Sequence, residues 1–273
     1  MKLIDFHTHI FPDPLAARAV ESLGKKAGLT PFTDGTERDT RALMEGEGVS
    51  AFVALNIATL PKNERNVNTF ALSVQDGRKL FAFGSVHPDS PSAPDELRRL
   101  KDGGILGIKF HCEYQEFDAD HPRAMKLYEA ALKLGLIVVF HGGDDLGFIP
   151  CLRASAEKLG RVAAAFPGEK LVFAHFGAYR QAEGAIEFLA PHDVYCDTSF
   201  AATGEVPPED IRAVVQAFGP DRVLFGSDCP WDTPSRVLAA LKGAGLPAGT
   251  LERICFWNAA RLLGLAEEDR AKA

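Results

Sequence analysis

The sequence predicts an α/β protein, a single (β/α)8 barrel (TIM barrel) running from residue 1 to residue 273. Three observations predict it. Eight short apolar runs, rich in Val, Ile, Leu and Phe, recur along the chain. Most lack apolar–polar alternation, the pattern of parallel strands covered on both faces. Amphipathic stretches lie between the runs, so strand and helix alternate. The length divides into about 34 residues per unit, close to the allotment of known barrels. An open, doubly wound sheet is the competing architecture, and it loses ground because no G-x-G-x-x-G follows an early strand.

Taken in order, the predicted strands cover 3–6, 50–55, 80–85, 106–110, 137–140, 171–174, 194–196 and 223–225. A helix over 123–134 ends at Gly135, a residue suited to a left-handed C-cap. The stretch 152–166 carries Leu, Ala and Val at helical spacing and stops before Pro167-Gly168. The helix over 208–218 opens on Pro208 and stops at Gly219-Pro220. Helices over 233–241 and 259–263 close the pattern. Two long insertions, 11–38 and 111–122, follow the first and fourth strands. Both fall on the C-terminal face, where barrel loops carry function. The final AEEDRAKA reads as a solvated tail.

Composition narrows the function. Hydrophobic residues are 46% of the chain and charged residues 25%, enough apolar surface to offset chain entropy. The net charge of −7 and the lack of a basic stripe argue against nucleic acid and against an anionic membrane surface as partners. No run approaches the roughly 20 apolar residues of a membrane span. The opening MKLIDFHTHIFPDP is too short and too broken by Asp and His for a secretory signal, so the expected location is cytoplasmic. The cysteines, Cys112, Cys151, Cys196, Cys229 and Cys255, are odd in number and never form C-x-x-C, which suits reduced thiols; Cys229 has the most unusual neighbours.

The polar residues fall where a barrel keeps its chemistry. His7 and His9 follow strand 1, Lys109 and His111 end strand 4, His141 ends strand 5, His175 ends strand 6, and strand 8 runs into Asp228. Side chains at the C-terminal ends of different strands converge on the barrel axis. Imidazoles and a carboxylate converging there suggest a divalent ion such as zinc, manganese or iron. A strand has period two, so His7 and His9 share one face and can chelate one ion. Singly, each residue has a plain structural reading: H-x-H is a weak motif, a lone histidine is more often a satisfied core or rim group, and Asp228 could be a helix N-cap. The joint placement at four strand ends carries the argument.

These motifs resemble the amidohydrolase superfamily, in the amidohydrolase-2 branch that includes aminocarboxymuconate-semialdehyde decarboxylase-like enzymes. DFHTHIF is similar to the branch's opening motif, GIKFHCEYQEF to its fourth-strand motif, VVFHGGD and VFAHFG to its fifth- and sixth-strand histidines, LFGSDCPW to its eighth-strand motif and FWNAARLLGL to its closing signature. Phe110 and Cys112 stand where Leu and Pro are usual. The resemblance implies one divalent metal, zinc first and Mn2+ or Fe2+ as alternatives, held by His7, His9, His141 and Asp228. It implies Asp228 and His175 as the catalytic pair. Asp5 shares parity with the histidines and is expected to fix an imidazole tautomer or to be a structural carboxylate. Lys109 is open between a metal-bridging carbamate and an ammonium that binds substrate.

His111, Arg180 and Trp231 are further expected substrate contacts, although Arg180 also reads as a solvated helix residue. Phe11, Tyr114 and Phe148 are expected nearby, and His121 and His192 read as bystanders. The expected activity is hydrolysis of a small lactone, amide or related molecule. A nonoxidative decarboxylase on the same scaffold is the alternative, and a catalytically idle metabolite-binding barrel is the third reading. The expected partner is a small-molecule substrate, with room for a homodimer.

Overall fold

In a computed structural model, residues 1–150 and 153–265 are described. Cys151, the start of the stretch 152–166 and the AEEDRAKA tail lie outside the described residues. Eight parallel strands follow one another: β1 (Ile4–Thr8), β2 (Ala51–Leu55), β3 (Leu80–Phe83), β4 (Gly107–Phe110), β5 (Ile137–Phe140), β6 (Leu171–Phe173), β7 (Tyr195–Asp197) and β8 (Val223–Leu224). Backbone pairing runs β1-β2-β3 and β4-β5-β6-β7-β8. The two sheets join through a parallel bridge between Gly84 and Ile108. Closure comes at the other seam, where Phe6 N donates to Phe225 O at 2.7 Å and Asp228 N to His7 O at 2.8 Å. This is the predicted (β/α)8 barrel.

Local chemistry explains the helices. Among those that flank the strands are α1 (Asp13–Ala27), α2 (Glu37–Gly46), α3 (Glu64–Val74), α4 (Ala93–Asp102), α5 (Pro122–Lys133), α6 (Ala156–Ala165), α7 (Ala182–Phe188), α8 (Pro208–Phe218) and α9 (Pro234–Gly243). Thr36, Ser155 and Thr233 cap α2, α6 and α9 by accepting a backbone N–H at the third helical position. His121, read from the sequence as a bystander, caps α5 by accepting the Arg123 backbone N–H. The insertion 11–38 is largely helical: α1 fills it, with Leu23 and Ala27 against the barrel mouth. No described helix is long and apolar enough to cross a membrane.

Two faces of each strand have separate tasks. Phe52, Ala54, Ile108, Phe110, Val138, Phe140 and Phe173 pack outward against helices. Val53, Leu55, Phe83, Val139, Val172 and Leu224 join Ile4 and Phe6 in a second cluster that fills the barrel interior. A π-turn over Arg253–Trp257 and α10 (Asn258–Leu262) close its lower end through Phe256, Ala259 and Ala260.

Candidate active site

The upper ends of the same strands surround a cavity of about 440 Å³. His7, His9, Lys109, His111, His141, His175 and Asp228 form its polar floor, and Phe11, Leu23, Leu55, Ile57, Tyr114 and Trp231 its walls. On β5 the continuity is direct: Ile137 and Val139 belong to the interior cluster, and His141 is the next residue of that parity.

On β1 the simple parity rule breaks. Against β2 the register runs Ile4↔Ala51, Asp5↔Phe52 and then Thr8↔Ala54, so β1 holds one extra residue. Such a bulge re-aims side chains. It allows Ile4 and Phe6 to pack in the interior while His7 and His9 both line the cavity above. It also removes Asp5 from the histidines' company. Asp5 Oδ1 instead accepts backbone N–H groups, from His7 at 3.1 Å and Ser227 at 2.9 Å. Burial pushes the Asp5 carboxyl up to about 7. The acceptor that orients the His7 ring is Asp197, whose Oδ2 lies 2.8 Å from His7 Nδ1.

His7, His9 and Asp228 come together with three ligand-type atoms at one point. His7 Nε2 is 3.2 Å from His9 Nε2 and 3.1 Å from Asp228 Oδ1, and His9 Nε2 is 3.2 Å from the same oxygen. The outer nitrogens are committed: His7 Nδ1 to Asp197 Oδ2, and His9 Nδ1 to the Leu55 carbonyl at 2.9 Å. Both therefore carry hydrogen on Nδ1, and their Nε2 lone pairs face each other and the carboxylate. Burial, and Lys109 after it, holds His7 well below the usual imidazole range. Burial works against the Asp228 charge, but the His7, His9 and His175 rings bring that carboxyl down to about 2. Three facing acceptors without a hydrogen among them repel unless a cation sits between. Ligands about 2.0–2.1 Å from a tetrahedral ion lie about 3.3–3.4 Å apart, close to the spacing found. The set fits a divalent ion.

His141 is outside that set. Its Nδ1 is turned to His175 Nε2 at 3.0 Å, and it groups with His111 and Asp145. His175 bridges the two groups: its ring centroid is 5.1 Å from that of His7, and its Nδ1 lies 2.8 Å from Ser199 Oγ. Lys109 Nζ is buried without a hydrogen-bond partner among the described residues, and burial lowers it to about 8. Trp231 lines the cavity, but Arg180 does not. Tyr179 takes the cavity wall, and the next residue, with φ of 59°, lies exposed over the Tyr179 ring. Phe148 sits at the rim with Tyr114, the Lys26 ammonium resting over both rings. Cys229 is buried and its thiol is pushed up, which leaves no reactive thiolate.

Asp197, Ser199 and Asp145 were not anticipated. Asp197 ends β7 and Ser199 follows it in YCDTS, and Asp145 follows His141 in HGGDD, so the strand-end rule that found the histidines covers them too.

A barrel with this mouth defines a class, and the sequence confirms it: the chain belongs to the amidohydrolase family, whose profile matches residues 4–265. Solved structures share the fold at low identity. 5-Carboxyvanillate decarboxylase from Sphingomonas paucimobilis superposes with a TM-score of 0.68 at 16% identity, covering 96% of this chain and 99% of that one. A candidate 2-pyrone-4,6-dicarboxylic acid hydrolase from Pseudomonas putida gives 0.67 at 18%, covering 97% and 98%. A dihydroxybenzoic acid decarboxylase from Polaromonas, with bound manganese and 2-nitroresorcinol, gives 0.68 at 14%, covering 97% of each chain. No curated protein sequence matches the chain.

Proposed function

We propose that the protein is a metal-dependent hydrolase of a small organic molecule, cutting a lactone, amide or related C–O or C–N bond in the cytoplasm. The observation that carries this reading is the meeting of His7 Nε2, His9 Nε2 and Asp228 Oδ1 at 3.1–3.2 Å, while the Nδ1 atoms of both rings face the acceptors Asp197 Oδ2 and Leu55 O. A divalent ion there, zinc first and Mn2+ or Fe2+ as substitutes, supplies Lewis acidity and lowers the pKa of water toward neutrality.

The chain's own residues supply the rest. Asp228, ionised at neutral pH, accepts the proton of the attacking water at a carboxylate oxygen and passes it to the leaving group. Asp197 keeps His7 in the tautomer that offers Nε2. His175, held through Ser199, orients the reacting group. Lys109, whose Nζ has no hydrogen-bond partner among the described residues, receives a substrate oxygen that carries negative charge. Phe11, Leu55, Tyr114 and Trp231 exclude water around an apolar body.

The decarboxylase reading draws on the same Lys109, since a buried ammonium without a partner suits a carboxylate. It is also the activity of two of the fold relatives. Incubating metal-loaded protein with a panel of lactones and carboxylated aromatics, and measuring acid release and carbon dioxide separately, tests both. Acid release without carbon dioxide is expected. Carbon dioxide alone would replace hydrolysis by decarboxylation, and neither product across a broad panel would favour an idle, metabolite-binding barrel.

A further inference from the structure

The helix after β2 turns a face to the cavity that none of the roles above uses. Asn63, just before α3, and Asn66, Val67 and Phe70 on it recur at helical spacing and line the cavity together. The adjoining face of α3 is held to the barrel by polar bonds: Glu64 accepts the His87 backbone N–H and Asn68 that of Ser85, each at 2.9 Å. Val67 and Phe70 stay half-buried. From α1, Leu15 and Leu23 line the same cavity, and Leu15 is 58% exposed. Phe11 and Ile57, which follow β1 and β2, complete an apolar wall on the α1 and α3 side. The wall begins beside the first ligands, because Leu55, whose carbonyl meets His9 Nδ1, lines the cavity two residues before Ile57.

The charges around the cavity are uneven. Among the described residues, Lys109 is the only lysine or arginine that lines it. The carboxylates are Asp228 in the floor and Asp144 and Asp145 on the loop after β5. Lys26 stands at the rim with its ammonium over the Tyr114 and Phe148 rings, and Arg180 lies outside. A single anionic group on a substrate is therefore met by Lys109. A second one meets hydrocarbon on the α1 and α3 side and like charge at the β5 loop, and either contact is unfavourable. Hydrocarbon laid against the same wall is favoured, because it removes the apolar surface of Leu15, Val67 and Phe70 from water.

We propose that the substrate is amphipathic: a lactone, ester or amide with a hydrocarbon body and no more than one carboxylate, the body lying along Phe11, Leu15, Ile57, Val67 and Phe70. This rests on the hydrolase reading above and names the substrate class for it. The reacting group and any carboxylate lie at the floor with Lys109, and the body covers the half-buried face of α3 and the exposed side chain of Leu15. Dicarboxylates of similar size are rejected, since the described lining offers their second charge no cation.

The test is ligand binding, read by calorimetry on zinc-treated and desalted full-length protein, so that it does not depend on turnover. Butanoate, hexanoate and octanoate are the probes, with octanedioate as the dicarboxylate. Affinity is expected to rise about threefold per added methylene, and octanedioate to bind at least about tenfold more weakly than octanoate. Leu15→Asp and Val67→Asp are each expected to flatten the rise. Position 15 is exposed in the first turn of α1, where an acid suits the helix. Equal affinity across the chain lengths, octanedioate binding as tightly as octanoate, or no binding of any probe would overturn the proposal. So would a rise that both variants leave intact. If Val67→Asp fails to fold by circular dichroism, Leu15→Asp and the wild-type series still decide. γ-Lactones with side chains of increasing length, followed by acid release on the same protein, keep this inference apart from the reading beneath it. Hydrolysis indifferent to side-chain length would leave the hydrolase standing and overturn the amphipathic substrate. A rise in binding with no lactone cleaved would support the apolar subsite and count against the hydrolase.

Discussion

The barrel's interior and its mouth are built on the same strands and obey opposite rules. In the interior, Phe6, Val53, Phe83, Val139 and Val172 are apolar and close-packed. Towards the upper ends of the strands, His7, Lys109, His111 and His141 are buried to a similar degree but are polar. Burial that stabilises the first group penalises the second, so each mouth residue needs a partner or a changed charge state. His7 is satisfied by Asp197, while Lys109 Nζ and His111 Nδ1 are not satisfied within the described residues. The contrast teaches that the interior holds the fold and that the mouth is finished by what it binds.

The sharpest way to separate the two regions is a pair of substitutions. Asp228→Asn keeps the size of the side chain but removes the proton acceptor. Turnover of an accepted substrate should fall by about 10²–10⁴-fold, with circular dichroism unchanged. Near-normal turnover would reduce Asp228 to a structural role and remove the functional half of the comparison. Phe83→Ala does the opposite: it empties an interior site whose ring lies 5.8 Å from that of Phe6. Denaturant unfolding should show a loss of about 3–5 kcal/mol, while metal binding by the protein that remains folded is unchanged. A comparable loss of metal affinity would show that interior and mouth are coupled.

Asp5 lies at the boundary and sharpens the comparison through pH. Its carboxyl is raised to about 7 in the folded chain, against 3.8 when unfolded, so the folded state binds more protons between those values. Its contribution to stability is full below about pH 4 and is lost as pH rises toward 7. Asp5→Asn should therefore flatten that part of the stability profile in chelator-treated protein, measured by urea unfolding at several pH values. An unchanged slope would show that Asp5 is ionised in the fold.

A smaller effect is expected one contact away from the ligands. Asp197→Asn frees His7 from its tautomer, and zinc affinity should weaken by about 10–100-fold as measured by competition with a chelator. Unaltered affinity would show that the 2.8 Å contact of Asp197 with His7 does not set the ring.

Much of this was legible in the sequence, and the exceptions have physical reasons. The eight strands were readable because strands covered on both faces leave uninterrupted apolar runs, and the cavity histidines because they follow those runs. The β1 bulge was not readable: one extra residue leaves no mark in DFHTHIF, so Asp5 seemed to share a face with His7. Arg180 looked available because it follows strand 6, but a left-handed residue turns it outward, and nothing in AYRQ announces that turn. The grouping of His141 with His111 rather than with His7 depends on which ring nitrogen faces which neighbour, a choice made by contacts between strands.

Under the proposed function, His7, His9 and Asp228 hold a divalent ion. Crystals of zinc-loaded protein, measured on either side of the zinc absorption edge, test it most directly. An anomalous peak is expected within about 2.0–2.2 Å of His7 Nε2, His9 Nε2 and an Asp228 oxygen. Zinc-loaded crystals with no anomalous peak there, or with a water molecule hydrogen-bonded among the three side chains, would contradict it.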